Sequence, residues 1–106
     1  MERLISSTHL YFISLILSKG YWVAEENANC AAYQIISTSS ACKVASANLG
    51  LKFFGFSRTK LRPAGCYKYT DKDVYFNHII DPEMTSPEGN TAGICAQGMI
   101  NCRVSL

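Results

Sequence analysis

Cys66-Tyr67-Lys68-Tyr69, then Thr70-Asp71-Lys72-Asp73, then Val74-Tyr75-Phe76-Asn77, is the stretch on which the fold turns. The outer quartets are rich in aromatic and β-branched residues that suit a pleated surface, and the polar residues between them make a short connection. The segment predicts an antiparallel hairpin over 66–77. Tyr67 and Tyr69 then share one face of their strand, while Tyr75 joins either face depending on register.

Working outward, Pro63-Ala64-Gly65 stops whatever precedes the hairpin. Further upstream, Ser37-Thr38-Ser39-Ser40 is a run of helix-capping side chains. Cys42, Ala45 and Leu49 follow at helical spacing, and Gly50 stands where a left-handed residue ends a helix. A short helix over 40–49 is expected, with an inner face of small residues and Cys42 pointing the same way. Tyr21 to Ala24 reads as the start of a strand, Tyr33 to Ile36 as strand or extended chain, and Ile94-Cys95 as a last short strand. Lys52 to Arg62 is mixed, with Phe53, Phe54 and Phe56 interleaved among basic residues, and His78 to Gly93 is loop-like. The expected fold class is α+β: one short helix packed on a small antiparallel sheet, stabilised by disulfides.

With 106 residues the chain has room for one domain. Hydrophobic residues at 48% provide a core, and a net charge of +2 is too small for the broad footprint of a nucleic-acid binder. That average hides a polarity. Lys43, Lys52, Arg58, Lys60, Arg62 and Lys68 fall between Asn27 and Thr70 with no acidic residue among them, whereas Asp71, Asp73, Asp81, Glu83 and Glu88 follow against Lys72 alone.

Five cysteines, at 30, 42, 66, 95 and 102, are many for so short a chain. They form no closely spaced doublet, and His9 and His78 lie far from any such pair, so the ligand spacing of a zinc site is missing and no metal is expected. Disulfides are the better reading, since a small domain gains much from staples and an oxidising compartment allows them. An odd number leaves one thiol spare or bonded elsewhere. The N-terminal segment agrees. Leu10, Tyr11, Phe12, Ile13, Leu15, Ile16 and Leu17 form a compact apolar run, and Ser18-Lys19-Gly20 offers small residues for cleavage after Gly20. The run is too short to span a bilayer, which takes about 20 residues, so no transmembrane span is expected. Residues 1–20 read as a signal peptide or a retained apolar assembly segment, and 21–106 as a single cysteine-stapled domain.

The order of Tyr21, Cys30, Cys42, Val44-Ala45, Leu49-Gly50, Pro63-Ala64-Gly65-Cys66-Tyr67, Val74-Tyr75-Phe76-Asn77 and Ile94-Cys95 resembles a small cysteine module. That module recurs in uncharacterised secreted proteins of algae and other protists and of some marine animals. The resemblance spans about residues 21–96. Pro-Ala-Gly-Cys stands here in place of the usual Pro-Pro-Gly-Cys, and Cys102 lies beyond the framework. It implies an extracellular module of unknown activity and supplies no catalytic residues. Its four cysteines allow three pairings. Cys42 with Cys66, joining helix to hairpin, and Cys30 with Cys95, tying the ends of the domain, are favoured.

Catalytic patterns are weak. His78 could serve as a base for Cys66 or Cys102, but no nucleophile motif accompanies it, and a surface histidine is the plainer reading. Asp71 and Asp73 lack the further oxygens of a calcium loop and read as a solvated turn. No enzyme activity and no cofactor are expected. Tyr67, Tyr69 and Tyr75, with Tyr21 and Trp22, form either the core of the small sheet or a platform for sugar rings. Lys52, Arg58, Lys60 and Arg62 either contact an anionic partner or border a solvated loop whose phenylalanines pack inward. The apolar N-terminus, the charge polarity and the spare cysteine put a structural or assembly role first, with other protein chains as partners in an extracellular or lumenal structure. Carbohydrate binding through exposed tyrosines is the alternative.

Overall fold

The hairpin forms between β3, Gly65–Tyr69, and β4, Asp73–Asn77. Its register places Cys66 opposite Phe76, Tyr67 opposite Tyr75 and Tyr69 opposite Asp73, so the turn is Thr70 to Lys72. This computed structural model describes residues 20–97; Leu10–Leu17, Cys102 and the stretch 101–104 lie outside the described residues. Alternation along the hairpin sorts the side chains onto two faces. Cys66, Val74 and Phe76 enter the buried core, while Tyr67, Tyr69 and Tyr75 lie on the opposite face.

The core face is covered by α1, Ser39–Asn48. Thr38 caps it, its Oγ1 accepting from the Ala41 N–H at 3.2 Å. At the other end Gly50 takes a φ of 71°, with Leu51 N–H bonded to Ser46 C=O at 2.8 Å and Gly50 N–H to Ala47 C=O at 3.2 Å. These are the paired bonds of a left-handed helix stop, and they turn the chain directly into the next strand. Cys42 and Ala45 are fully buried against the sheet, and Ile36, Cys66, Val74, Phe76 and Ile94 complete the cluster. Small residues at the contact let helix and sheet approach closely enough for Cys42 to bond Cys66, with Cα atoms 5.3 Å apart. Cys30 is bonded to Cys95 at a Cα separation of 5.6 Å.

Three further strands complete a five-stranded sheet in the order β1-β5-β3-β4-β2. β1, Tyr21–Val23, pairs antiparallel with β5, Thr91–Ala96, which in turn pairs antiparallel with β3. β2, Lys52–Ser57, pairs parallel with β4, so the sheet is mixed where a purely antiparallel one was expected. The β2 strand escaped the sequence reading because three phenylalanines in four residues show no two-residue period. The register shifts between Phe53 and Gly55, and that irregularity supplies the missing step. Phe53 and Phe56 then lie opposite Val74 and Phe76 on the helix side, leaving Phe54 beside Tyr75. Of Tyr33 to Ile36, expected as strand or extended, Tyr33 and Gln34 lie in a 3-10 turn, Ala32–Gln34, and Ile35 makes an isolated bridge to Cys95. Among the described residues no helix is long and apolar enough to cross a membrane.

Candidate functional site

The sheet face away from the helix is only partly covered. Near β5 the segment around Cys30 lies on it, so close that Gly93 has no room for a side chain; a Cβ there would meet the Cys30 sulfur at 3.0 Å. Farther along, over β3, β4 and β2, the face carries a row of rings. Tyr67 and Tyr75, directly opposed across the hairpin, stack with centroids 5.9 Å apart. Tyr75 also meets Tyr69 edge-on at 6.2 Å and Phe54 edge-on at 5.9 Å, geometries in which ring edge meets ring face. Lys52 sits at the end of the row with Nζ 5.6 Å from the Phe54 centroid.

One wall of this face is the 58–64 connection, and a single buried side chain shapes it. Asn77 Oδ1 accepts from the N–H groups of Thr59 and Ile79, both at 3.2 Å, and Nδ2 donates to the carbonyls of Thr59 at 2.9 Å, Pro63 at 3.0 Å and Arg62 at 3.4 Å. Asn29 ties the same connection to the 82–85 turn. Its Oδ1 accepts from Ala64 N–H at 2.8 Å, and its Nδ2 donates to Thr85 Oγ1 at 2.8 Å and Pro82 C=O at 3.2 Å. So held, the connection brings Arg62 over Tyr69, its guanidinium carbon 5.1 Å from the ring centroid, a cation–π arrangement.

Between wall and rings lies a cleft of about 340 Å³, lined by Ser57, Thr59, Leu61, Arg62, Tyr67, Tyr69 and Tyr75 among others. Tyr67 is buried at its base, its hydroxyl hydrogen-bonded to Ser57 Oγ at 3.0 Å. Burial pushes that hydroxyl above the usual tyrosine range, against the downward pull of the Ser57 hydrogen bond and the nearby Arg62 charge. Tyr69 and Tyr75 are half-buried. The cleft thus offers ring faces, a cation and hydroxyl groups together, the mixture of apolar lining and few polar anchors that suits small-molecule sites.

Of the residues singled out in the sequence, Tyr67, Tyr69, Tyr75 and Arg62 come together here, and Lys52 flanks them. Arg58 and Lys60 are exposed on the connection and do not line the cleft. Tyr21 packs against the core, and Trp22, opposite Cys95 on the far strand, stands apart from the row. Ser57, Thr59, Leu61 and Phe54 were not anticipated, because their placement follows from the parallel β2–β4 pairing and from the Asn77 bonds. His78 is exposed and stacks on Phe56 at 5.5 Å, while Cys66 is locked in its disulfide, so the two form no nucleophile and base. Among the described residues no group of three or more His, Cys, Asp or Glu side chains could hold a metal ion. A second concavity of about 360 Å³ lies between β1 and the hairpin turn, lined by Glu26, Lys68, Asp71 and Asn90 among others, with no aromatic ring. Comparison with protein-family models, with curated proteins and with solved structures gives no match.

Proposed function

We propose that this protein is a non-catalytic carbohydrate-binding module of an extracellular or lumenal compartment. The observation that carries the reading is the convergence of Tyr67, Tyr69, Tyr75 and Arg62 on one open cleft. Sugar rings present apolar C–H faces to aromatic rings and a fringe of hydroxyls to polar groups, and tyrosine serves both needs in one side chain. Among the described residues no carboxylate or imidazole lines the cleft, and this favours binding over acid–base chemistry. Two disulfides in so small a domain favour the oxidising compartment. The test is titration of the isotope-labelled protein with oligosaccharides, followed by NMR. Shifts should concentrate on Tyr67, Tyr69, Tyr75 and Arg62, and Tyr75→Ala should remove them. Shifts elsewhere, or none with any oligosaccharide, would defeat the reading.

Assembly, placed first from the sequence, is the second reading, and one observation favours it. β2 is the last strand of the sheet, and Phe54 and Phe56 on it are 56% and 53% exposed. An edge strand that no described residue pairs with on its outer side, and that carries exposed rings, is a natural acceptor for a strand from a neighbour. The apolar segment Leu10–Leu17 of another copy is the proposed donor. Under this reading, deleting residues 1–20 leaves a folded, disulfide-bonded monomer that no longer assembles, as light scattering would record. A deletion variant that associates like the full chain would rule the segment out.

A further inference from the structure

Among the described residues Arg62 is the one charged group lining the tyrosine cleft, and contacts within the chain already hold it in place. Its Nη1 donates to the carbonyl oxygens of Glu88 at 3.2 Å and Leu61 at 3.4 Å, and its plane is steadied over the Tyr69 ring. Both anchors are carbonyls, so neither neutralises the charge. Among the described residues no carboxylate lines the cleft; Asp73, on the same sheet face, lies opposite Lys52 in the β2–β4 register and outside the lining. A guanidinium steadied by neutral partners, the two carbonyls and the neighbouring Tyr67 hydroxyl, with no carboxylate among the described lining residues, is set up for an anion of planar or forked geometry. Arginine recognises carboxylate and sulfate through paired hydrogen bonds that lysine cannot reproduce. An anion that also carries a ring fits best, because the same cleft presents the half-buried Tyr75 ring, which packs against Tyr67, Tyr69 and Phe54.

We infer that the cleft selects anionic sugars, with the ring on Tyr75 and a carboxylate or sulfate on Arg62. This rests on the carbohydrate reading and narrows its ligand class. A neutral sugar placed on Tyr75 would leave the guanidinium facing its apolar edge or hydroxyls and forgo the charge-assisted bonds. Pre-fixing of Arg62 matters here, since a side chain already ordered loses little freedom on binding.

The test sets matched pairs of sugars against the full-length oxidised protein: galacturonic acid oligomers with their methyl esters, and sulfated galactan oligomers with the unsulfated form. Affinity is measured by calorimetry. In at least one pair the anionic member should bind about tenfold or more tightly than its neutral partner, as loss of one charge-assisted pair requires. Arg62→Gln should weaken that anionic member about tenfold and so close most of the gap between the two members of the pair. Arg62→Lys, which keeps the charge but loses the fork, should recover part of the difference and guards against a variant that simply misfolds. Tyr75→Ala should weaken both members alike. Which pair shows the preference identifies carboxylate or sulfate as the group recognised. Equal affinities within both pairs would overturn the inference and leave the carbohydrate reading standing; no binding by any member would overturn both.

Discussion

Asn77 offers the sharpest test of how the cleft is built. Its side chain is fully buried and joins five backbone groups of the 59–63 connection and Ile79. In Asn77→Ala all five lose their partner. A made hydrogen bond contributes about 1 kcal/mol net, and water can replace the partner of the half-exposed groups, so the expected loss is about 3 kcal/mol. With a urea m-value of about 1 kcal/mol/M for a small domain, the unfolding midpoint should fall by about 3 M. Asn77→Asp is the more telling change. It keeps the acceptor but turns an oxygen toward the Thr59 and Pro63 carbonyls, now 2.9 and 3.0 Å from a donor nitrogen. The folded state should therefore hold that carboxyl protonated, with its pKa raised above the unfolded value of about 4. The unfolded chain then loses the proton first, so the variant's stability falls as pH rises above about 4 and is recovered in acid, relative to the parent protein. Urea titrations of the oxidised protein across pH would check this. A loss under about 1 kcal/mol in the alanine variant, or an aspartate variant with the parent's pH profile, would mean the connection is held by something other than Asn77.

Three further outcomes follow from the same geometry. Cys42 and Cys66 are both fully buried, so thiol trapping under native reducing conditions should label neither until the domain unfolds; removing their bridge by Cys42→Ala with Cys66→Ala should cost about 3.5 kcal/mol in chemical denaturation, the loop-closure value for a separation of 24 residues. Gly65 takes a φ of 70°, and an added Cβ would clash with the Ile36 carbonyl and the Ile35 side chain, so Gly65→Ala should lower the midpoint by about 2 kcal/mol or more in equivalent free energy. The Tyr67 hydroxyl ionises less readily folded than unfolded, so its stability contribution is complete below pH of about 10 and is lost as pH rises above it; Tyr67→Phe should flatten that alkaline fall in denaturant titrations.

What the sequence made legible was local. The hairpin is written in Cys66 to Asn77 because its two strands are consecutive and their alternation needs no distant partner. The helix was placed within a residue at each end, since Thr38 and the Leu49-Gly50 stop act through neighbouring backbone groups. Both disulfide pairings found were the favoured ones, Cys42 with Cys66 and Cys30 with Cys95. What escaped was non-local. Parallel pairing of β2 with β4 inserts β4 between β2 and β3, an order that no short-range pattern in Lys52 to Arg62 encodes. For the same reason the side of the sheet taken by Tyr75 stayed open, since one step of register moves it across. Asn77 stood in view at the end of the hairpin, yet its role depends on a connection folding back from fourteen or more residues upstream.

The division of labour between the two sheet faces follows from how little the helix can bury. Its fully buried side chains are Cys42, Ala45 and Ser46, too small to draw much apolar area from water, with Ala41 and Leu49 packing only in part. A sheet of this size would ordinarily need its second face covered as well, because a small domain buries too modest a share of its surface to hold together on one layer. Here the covalent bridges replace part of that missing burial. Cys42–Cys66 fastens the helix to β3, and Cys30–Cys95 pins the segment around Cys30 across the far end of the second face. Each limits the unfolded chain by about 3.5 to 4.3 kcal/mol in the loop-entropy treatment, comparable to the lower range of a small domain's net stability. With stability supplied that way, the middle of the second face is released from serving as core. Tyr69 and Tyr75 can then remain half-exposed beside Arg62 instead of lying under another layer. The staples are thus a condition of the open cleft, and rings that would be core in an unstapled domain of the same size stay half-exposed on it, as the proposed sugar binding requires.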